Sequence, residues 1–274
     1  MKQLAILVSV LCILISTSLL GHGDTHQRIK ELTGKIKVTP KNPELYLKRA
    51  ELYIQHEDYK KSNRDLMKCV SLGVKSDRIN YNFAVNYKNL KKYDKALGYL
   101  DKILAMDAKN VRALKEKSSV FYNQKKYDDA AIYLERVAEL SSEPLPENYI
   151  NASLAWELDD KLGSYKRSKK IIEKGIDRLG DLMVFYQRLV KLNLANGEYE
   201  EAVANQTQIV EISTRKEKAL FQRAMIHIES NDLSSAKSDL EESITLIDNL
   251  PPKHKKNQST IDLKNLIVRV KNEL

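Results

Sequence analysis

The sequence predicts an all-α fold in which similar two-helix units stack into a solenoid. Two observations predict it: a composition suited to helices, and a phrase that recurs about every 34 residues. Of the 274 residues, 42% are hydrophobic and 30% are charged, with only 9 Gly and 6 Pro. Abundant Lys, Leu, Ala and Glu favour helices and argue against a β-sandwich or a disordered chain.

An aromatic residue marks the recurring phrase. "KKYDKALGYLDKILAMD" begins at Lys91, and "KKYDDAAIYLERVAELS" begins 34 residues later at Lys125. The same spacing, with one interval of 38 residues, relates six positions along the chain: Tyr59, Tyr93, Tyr127, Tyr165, Tyr199 and Leu233. A fixed period of this length is typical of proteins built from stacked repeats.

Small residues accompany these positions at helical spacing. Three residues after each one stands a small residue: Ser62, Ala96, Ala130, Ser168, Ala202 and Ala236. A large apolar residue then usually follows after four more: Leu66, Leu100, Leu134, Ile172 and Leu240, with Gln206 as the exception. Further along are Cys69, Ile103, Val137, Gly175, Ile209 and, offset by one, Ile244. Steps of three and four residues place all of these on one helix face.

A second small series lies upstream and marks a preceding helix in each unit: Ala50, Ala84, Ser118, Ala152, Val190 and Ala224. We therefore expect two helices in each unit, in close contact at their small residues. Four extra residues fall between Ala152 and Tyr165, so the fourth unit should have a longer helix or turn. Neither helix can bury its apolar side alone, which predicts that the units stack.

These features resemble the tetratricopeptide repeat (TPR) family. "NPELYLKRAELYIQHEDYKKS" and "NGEYEEAVANQ" carry its aromatic, small and Tyr-x-x-small pattern, and the resemblance extends from about Asn42 to Leu250. It implies a right-handed superhelix of about six helix–turn–helix units with capping helices at its ends. The sequence departs from the family in its irregular fourth unit, in Val190, and in the scarcity of Gly before the turns.

The segments outside the repeats complete the predicted domain organisation. We expect a signal peptide at 1–23, a capping helix with a linker at 24–41, six repeats at 42–250, and a linker with a C-terminal capping helix at 251–274. The first capping helix should begin at the pair Asp24 and Gln27 and run to about Val38. Ser259 can cap the last helix, whose apolar side is predicted from Leu263, Leu266, Ile267, Val270 and Leu274.

The N-terminus has the layout of an export signal. One basic residue, Lys2, precedes an apolar stretch from Leu4 to Leu20. An uncleaved membrane anchor is the alternative, because the stretch approaches the length of a membrane span. We expect an exported protein of the bacterial periplasm or cell envelope. The endoplasmic reticulum lumen is the alternative compartment, because the C-terminal Lys-Asn-Glu-Leu resembles a retrieval signal.

No catalytic motif stands out. The chain has no Gly-rich phosphate loop, no Gly-x-Ser-x-Gly and no Cys-x-x-Cys. We therefore expect no enzymatic activity, no cofactor and no metal site. The formal net charge is +9, but Lys and Arg are interspersed with Asp and Glu along the whole length. This distribution is typical of solvated helix faces and argues against nucleic acid as a partner.

The TPR resemblance implies a concave groove lined by the first helix of each unit. In the second and third units we predict a peptide-binding lining of cations, amides and tyrosines: Arg78, Tyr81, Lys88, Asn89, Arg112, Lys115, Tyr122 and Asn123. In the fifth and sixth units the corresponding lining is apolar: Val184, Leu194, Phe221, Met225 and Ile228. The alternative interpretation is an ordinary mixed surface. The Lys, Asn and Arg clamp of chaperone-binding members is absent, because Leu47, Glu51 and Glu116 occupy matching places.

The functional prediction is a non-enzymatic, exported TPR scaffold or adaptor that binds a protein or peptide in this groove. The membrane would be contacted only through the N-terminal segment, if that segment is retained. The alternative is a dedicated accessory subunit of a cell-envelope enzyme or assembly.

Overall fold

The computed structural model describes residues 25–159, 161 and 163–274. Throughout these ranges the regular structure is α-helical, with no β-strand. The first helix, α1, spans residues 25–38. The all-α prediction is confirmed. The predicted signal peptide and Asp24, the predicted cap of α1, lie outside the described residues.

Six helix pairs follow α1. They are α2 (Pro43–Gln55) with α3 (Tyr59–Ser71), α4 (Asp77–Asn89) with α5 (Tyr93–Met106), α6 (Val111–Asn123) with α7 (Tyr127–Leu140), α8 (Pro146–Glu157) with α9 (Ser164–Leu179), α10 (Met183–Ala195) with α11 (Tyr199–Ile212), and α12 (Glu217–Glu229) with α13 (Leu233–Asp248). A short α14 (Pro252–Lys255) and α15 (Gln258–Glu273) end the chain. Five of the six second helices begin at the residue that marks the repeat, and α9 begins one residue before it.

The helices pack within two compact units, Met1–Tyr133 and Leu134–Leu274. In the first unit α2 to α6 pack in chain order, and the first helices α2, α4 and α6 also contact one another in sequence. In the second unit α8 to α13 pack in chain order, and α15 covers α13. No helix in the described part of the chain combines the length and apolarity needed to cross a membrane.

The small residues allow the paired helices to approach closely, as the repeat pattern predicted. All six in the second-helix series are fully buried at 0% exposure: Ser62, Ala96, Ala130, Ser168, Ala202 and Ala236. The first-helix series is buried too: Ala50, Ala84, Ser118, Ala152, Val190 and Ala224. A larger side chain at these contacts would overpack them, which explains why the small residues recur.

The extra residues of the fourth unit lengthen its turn. The turns between the paired helices elsewhere have three residues, as in 56–58, whereas 158–163 separates α8 from α9. In the sixth unit, the buried residue near the end of the second helix differs from the prediction. Ser243 is fully buried, whereas the predicted Ile244 is only partly buried. Ser243 lies 34 residues after Ile209, so the repeat spacing is kept. Its hydroxyl donates to the Glu217 carbonyl at 2.7 Å, which allows a polar residue in the core.

The C-terminal helix begins two residues earlier than expected. Asn257, not Ser259, is its N-cap, and the Asn257 side chain accepts from the Ser259 backbone N–H. Ile267 is fully buried against α12 and α13, whereas Leu266 is 42% exposed. Leu266 therefore does not belong to the buried side, because a helix turns about 100° per residue and Ile267 already faces the core. Leu274 packs against the same cluster.

One buried ion-pair motif occurs in both units with the same spacing. Arg49 on α2 donates two hydrogen bonds of 2.7 Å to Asp65 on α3, and a third of 2.9 Å to Thr33 on α1. In the other unit Arg223 on α12 binds Asp239 on α13 at 2.7 and 2.9 Å, and a Thr207 hydroxyl on α11 at 3.0 Å. Each arginine thus ties its own helix pair to the helix before it.

Candidate functional site

The predicted polar lining lies on neighbouring first helices of one unit, α4 and α6. Arg78, in the first turn of α4, is exposed, but its guanidinium donates two hydrogen bonds of 2.7 Å to the carboxylate of Glu51 on α2. A second carboxylate, that of Glu44, lies 3.6 Å away. These carboxylates raise the pKa of Arg78 and hold its side chain in place.

Lys88 is also paired. Its ammonium lies 2.7 Å from the carboxylate of Glu116 on α6 and 3.2 Å from the Ser119 hydroxyl. The other carboxylate oxygen of Glu116 accepts from the Tyr81 hydroxyl at 3.2 Å. Burial, and then the negative charge of Glu116, raise the pKa of Tyr81, so the phenol stays protonated and donates. Lys88, Glu116 and Tyr81 therefore form one polar cluster that joins α4 to α6.

Arg112 and Lys115 differ from Arg78 and Lys88. The Arg112 guanidinium stacks on the Tyr81 ring at 3.6 Å from its centroid, within the range of a cation–π contact. Lys115 is exposed one turn further along α6. Neither side chain forms an ion pair with any residue that the structure describes. Their positive charges are therefore available to an external acidic group.

The remaining polar candidates are exposed. Tyr122 is 47% exposed and meets the edge of the Tyr127 ring at 5.3 Å between centroids. Asn89 donates to the Val85 carbonyl of its own helix at 2.8 Å, and Asn123 is the exposed last residue of α6. The structure therefore brings Tyr81, Lys88 and Arg112 together around Glu116.

The acidic partners are the residues that the sequence analysis did not place in the lining. Glu51 and Glu116 stand where the chaperone clamp would have polar or basic residues, and each instead neutralises a cation on α4, the first helix between them. The separations from Glu51 to Arg78 and from Lys88 to Glu116 are 27 and 28 residues. Both separations are somewhat shorter than one repeat. A search of the sequence for oppositely charged residues at about this separation could have predicted the contacts.

A polar cavity of about 400 Å³ lies beside Arg78, between α1, α2 and the start of α4. Its charged lining is mixed: Arg28, Glu31, Lys35, Lys48, Glu51 and Arg78. Four cations and two carboxylates give this cavity a net positive character. It extends the polar surface of the first helices towards α1.

The predicted apolar lining lies in the other unit, on α10 and α12. Val184 is 41% exposed, whereas Leu194, Met225 and Ile228 are partly buried. Phe221 packs against the buried cluster formed by Ala224, Leu240, Ile247 and Ile267. Part of its ring is therefore buried in the packing of α12 against its neighbours, and only the remainder is accessible to a partner.

Cys69 is a packed core residue and not a reactive thiol. It is fully buried, and its thiol lies 3.3 Å from the Pro43 carbonyl. Burial raises the pKa of the thiol to about 11, so it is protonated and a poor nucleophile at neutral pH. Among the described residues no cluster of three or more His, Cys, Asp or Glu side chains is arranged to hold a metal ion.

Comparison with known families identifies the repeats. Two family models described as "Tetratricopeptide repeat" match the chain, one at residues 81–144 and the other at 217–249. Together with the six helix pairs and the buried small residues, these matches decide the family. The chain is a tetratricopeptide repeat protein. No curated protein sequence matches it.

Solved TPR structures resemble this TPR protein in fold. The C-terminal part of a TPR repeat-containing protein from Cytophaga hutchinsonii is 14% identical, with a TM-score of 0.62, covering 88% of this chain and 94% of that one. A tetratricopeptide repeat protein from Parabacteroides merdae is 16% identical with a TM-score of 0.50, covering 92% and 96%. PilW, a type IV pilus biogenesis factor, is 20% identical with a TM-score of 0.50, covering 75% and 95%.

Proposed function

We propose that this TPR protein is a non-enzymatic scaffold or adaptor that binds an acidic peptide segment of another protein. The contact surface is the side formed by the first helices α2, α4 and α6. One observation carries the proposal: Arg112 and Lys115 project from α6 without a carboxylate partner among the described residues, although the neighbouring cations Arg78 and Lys88 are neutralised. An extended peptide with carboxylates would supply the missing acceptors.

Contacts that hold the Arg112 side chain in position support this proposal. Arg112 is held by Tyr81, whose hydroxyl is in turn held by Glu116. A guanidinium that is already positioned loses less conformational freedom when it binds a carboxylate. The exposed Tyr122 and Asn123 at the end of α6 add hydroxyl and amide groups for a peptide backbone.

The apolar side chains on α10 and α12 form a separate candidate surface within the other unit. Val184, Leu194, Met225 and Ile228 could receive apolar side chains of a partner, and Phe221 contributes only through its exposed portion. This lining would favour partners whose binding segments are partly hydrophobic.

We further propose that the protein is exported to the periplasm or cell envelope. The apolar N-terminal stretch supports this proposal, with 1–23 removed, 24–41 and 251–274 capping the ends, and 42–250 forming the repeats. The alternative destination, the endoplasmic reticulum lumen, is less favoured because Leu274 packs against the α12–α13 cluster. A retrieval signal must be accessible to its receptor.

A dedicated accessory subunit of a cell-envelope assembly is the second candidate. PilW, which has a similar fold, is named for type IV pilus biogenesis, and the likeness is one of fold. Co-purification from the native host separates the two functions. A dedicated subunit should recover one partner in fixed proportion, whereas an adaptor should recover several.

Charge reversal tests the proposed surface. The double variant Arg112→Glu/Lys115→Glu should weaken binding of a co-purified partner by about tenfold or more, because two attractive contacts become repulsive. The control is Lys60→Glu/Lys68→Glu, which reverses two exposed charges on α3, a second helix of the same unit. Binding is titrated at two salt concentrations. Equal affinity of both double variants would contradict the proposed surface.

A further inference from the structure

A large apolar groove lies on a different side of the first unit, outside the predicted peptide-binding lining. It has a volume of about 810 Å³ and is formed by the end of α3, the start of α4 and the end of α5. Its walls come from the second helices α3 and α5, and none of the eight residues of the predicted peptide-binding lining belongs to its lining. It was not predicted from the sequence.

The floor of the groove belongs to the core of the unit. Ile79 and Phe83 on α4 are 2% and 3% exposed, and the Phe83 ring stacks on Tyr99 of α5 at 4.7 Å between centroids. These side chains are held by the packing of α4 against α5. The groove therefore has a rigid apolar floor.

Large apolar side chains are exposed on the walls. Met67 and Val70 on α3 are 62% and 47% exposed, and Met106 at the end of α5 is 80% exposed. All three line the same groove. Scattered exposed apolar residues are ordinary on protein surfaces, but a cluster in a concavity marks an interaction site. The unbranched methionine side chains can adapt to the shape of a bound apolar segment.

The charged residues of the groove favour an acidic partner. Lys75, in the connection between α3 and α4, and Lys102 on α5 lie in its lining, together with one acidic residue, Asp77. The Lys102 ammonium lies 4.5 Å from the centroid of the Tyr99 ring. Neither lysine forms an ion pair with a described residue. Two unpaired cations beside an apolar floor complement a segment that carries both apolar side chains and carboxylates.

We propose that this groove binds an amphipathic helix of a partner protein, with large apolar residues on one face and acidic residues on its flanks. The apolar face would lie on Phe83 and Tyr99 between the two methionines, and the acidic flanks would face Lys75 and Lys102. Recognition of an amphipathic helix by a groove with methionine walls is an established form of peptide binding. This site is independent of the surface on α2, α4 and α6, so each can be tested separately.

Methionine methyl NMR of the full protein provides a direct test. Met67 and Met106 report on the groove, Met225 reports on the apolar lining of the second unit, and Met183 is a reference. The probe is a synthetic 18-residue helical peptide with Leu and Phe on one face and Glu on both flanks. We expect the Met67 and Met106 methyl resonances to shift on titration, with Met183 and Met225 unchanged. The same peptide with Lys in place of Glu should bind about tenfold more weakly.

Variants with matched exposure test the location. Met67→Glu should weaken binding of the acidic peptide by about tenfold, because it places a carboxylate in the groove. Leu145→Glu makes the corresponding change at a 60% exposed residue of the other unit, close to the 62% exposure of Met67, and should leave affinity within about twofold. The double variant Lys75→Glu/Lys102→Glu should reverse the preference, so that the Lys peptide binds more tightly.

Four outcomes would overturn the proposal. The first two are no binding of the acidic peptide at millimolar concentration, and shifts at Met225 without shifts at Met67 and Met106. The other two are unchanged affinity of Met67→Glu, and a charge preference that the lysine double variant does not reverse.

Two controls test whether something other than a partner helix occupies the groove. If the Met67 and Met106 resonances move with protein concentration alone, a second copy of this chain fills the groove. If sodium oleate shifts them at lower concentration than the peptide, the site binds a small amphiphile.

Discussion

Gly175 shows at the scale of one residue how a packing contact overrides helix propensity. It lies inside α9, at a place that Cys69, Ile103, Val137 and Ile209 occupy in other repeats. A Cβ atom on Gly175 would lie 2.9 Å from Cζ of Phe185 and 3.0 Å from Cγ of Tyr149. The two rings, which meet edge to face at 6.1 Å, fill the space that an apolar side chain fills elsewhere.

We expect Gly175→Ala to destabilise the protein by about 1–3 kcal/mol through overpacking, although alanine favours a helix. The matched control is Gly98→Ala, also inside a helix, where an added Cβ meets nothing within 4 Å. Gly98→Ala should stabilise by about 0.5–1 kcal/mol because it removes the backbone entropy of glycine. Urea unfolding followed by circular dichroism measures both. A stabilising Gly175→Ala would show that the two rings move apart at little cost.

At the scale of the element, the turns inside the helix pairs share one backbone feature. The residue two places before each repeat-marking position has a positive φ in all six turns. It is a glycine in two of them, Gly163 and Gly197, and another residue in the others: Glu57 at 59°, Lys91 at 56°, Lys125 at 59° and Asn231 at 63°. A side chain in this left-handed conformation is strained by about 1–2 kcal/mol, which glycine avoids.

We expect Lys91→Gly to stabilise the protein by about 0.5–1 kcal/mol, because relief of strain at the end of α4 exceeds the entropic cost of glycine. Lys68→Gly is the control: Lys68 is exposed inside α3, with an ordinary helical backbone, and its replacement should cost about 1 kcal/mol. Thermal unfolding of the two variants provides the comparison. Destabilisation by both would mean that the side chain of Lys91 contributes more than its backbone strain costs.

Pairing between elements also depends on side chains 16 residues apart, about half of one repeat. The motif of Arg49, Asp65 and Thr33 joins three successive helices, and it recurs only where arginine and aspartate occupy the corresponding places. At the equivalent place in the second repeat, Phe83 stacks on Tyr99 instead. The stack leaves an aromatic floor beside α3, which is the floor of the apolar groove.

At the scale of the whole molecule, the apolar N-terminal stretch predicts export. We expect mass spectrometry of the protein from its native host to find a mature N-terminus between about Thr17 and Asp24, because the residues there suit cleavage after the apolar stretch. Protein produced without export in a heterologous cytoplasm is the control and should retain the stretch. An intact Met1 on membrane-held protein would favour the uncleaved anchor.

The sequence by itself determined the repeats, most helix boundaries and the buried small residues, because helical spacing assigns each residue to a face of its own helix. Tertiary structure decided what lies opposite each face. It placed Glu51 beside Arg78 and Glu116 beside Lys88, so that two of the four predicted cations are neutralised. It also joined Met67 of one repeat to Met106 of the next in one groove. These pairings could not be predicted from the period alone, because the orientation between stacked helices depends on the volume of every side chain between them, from Ala84 at one contact to Tyr99 at another.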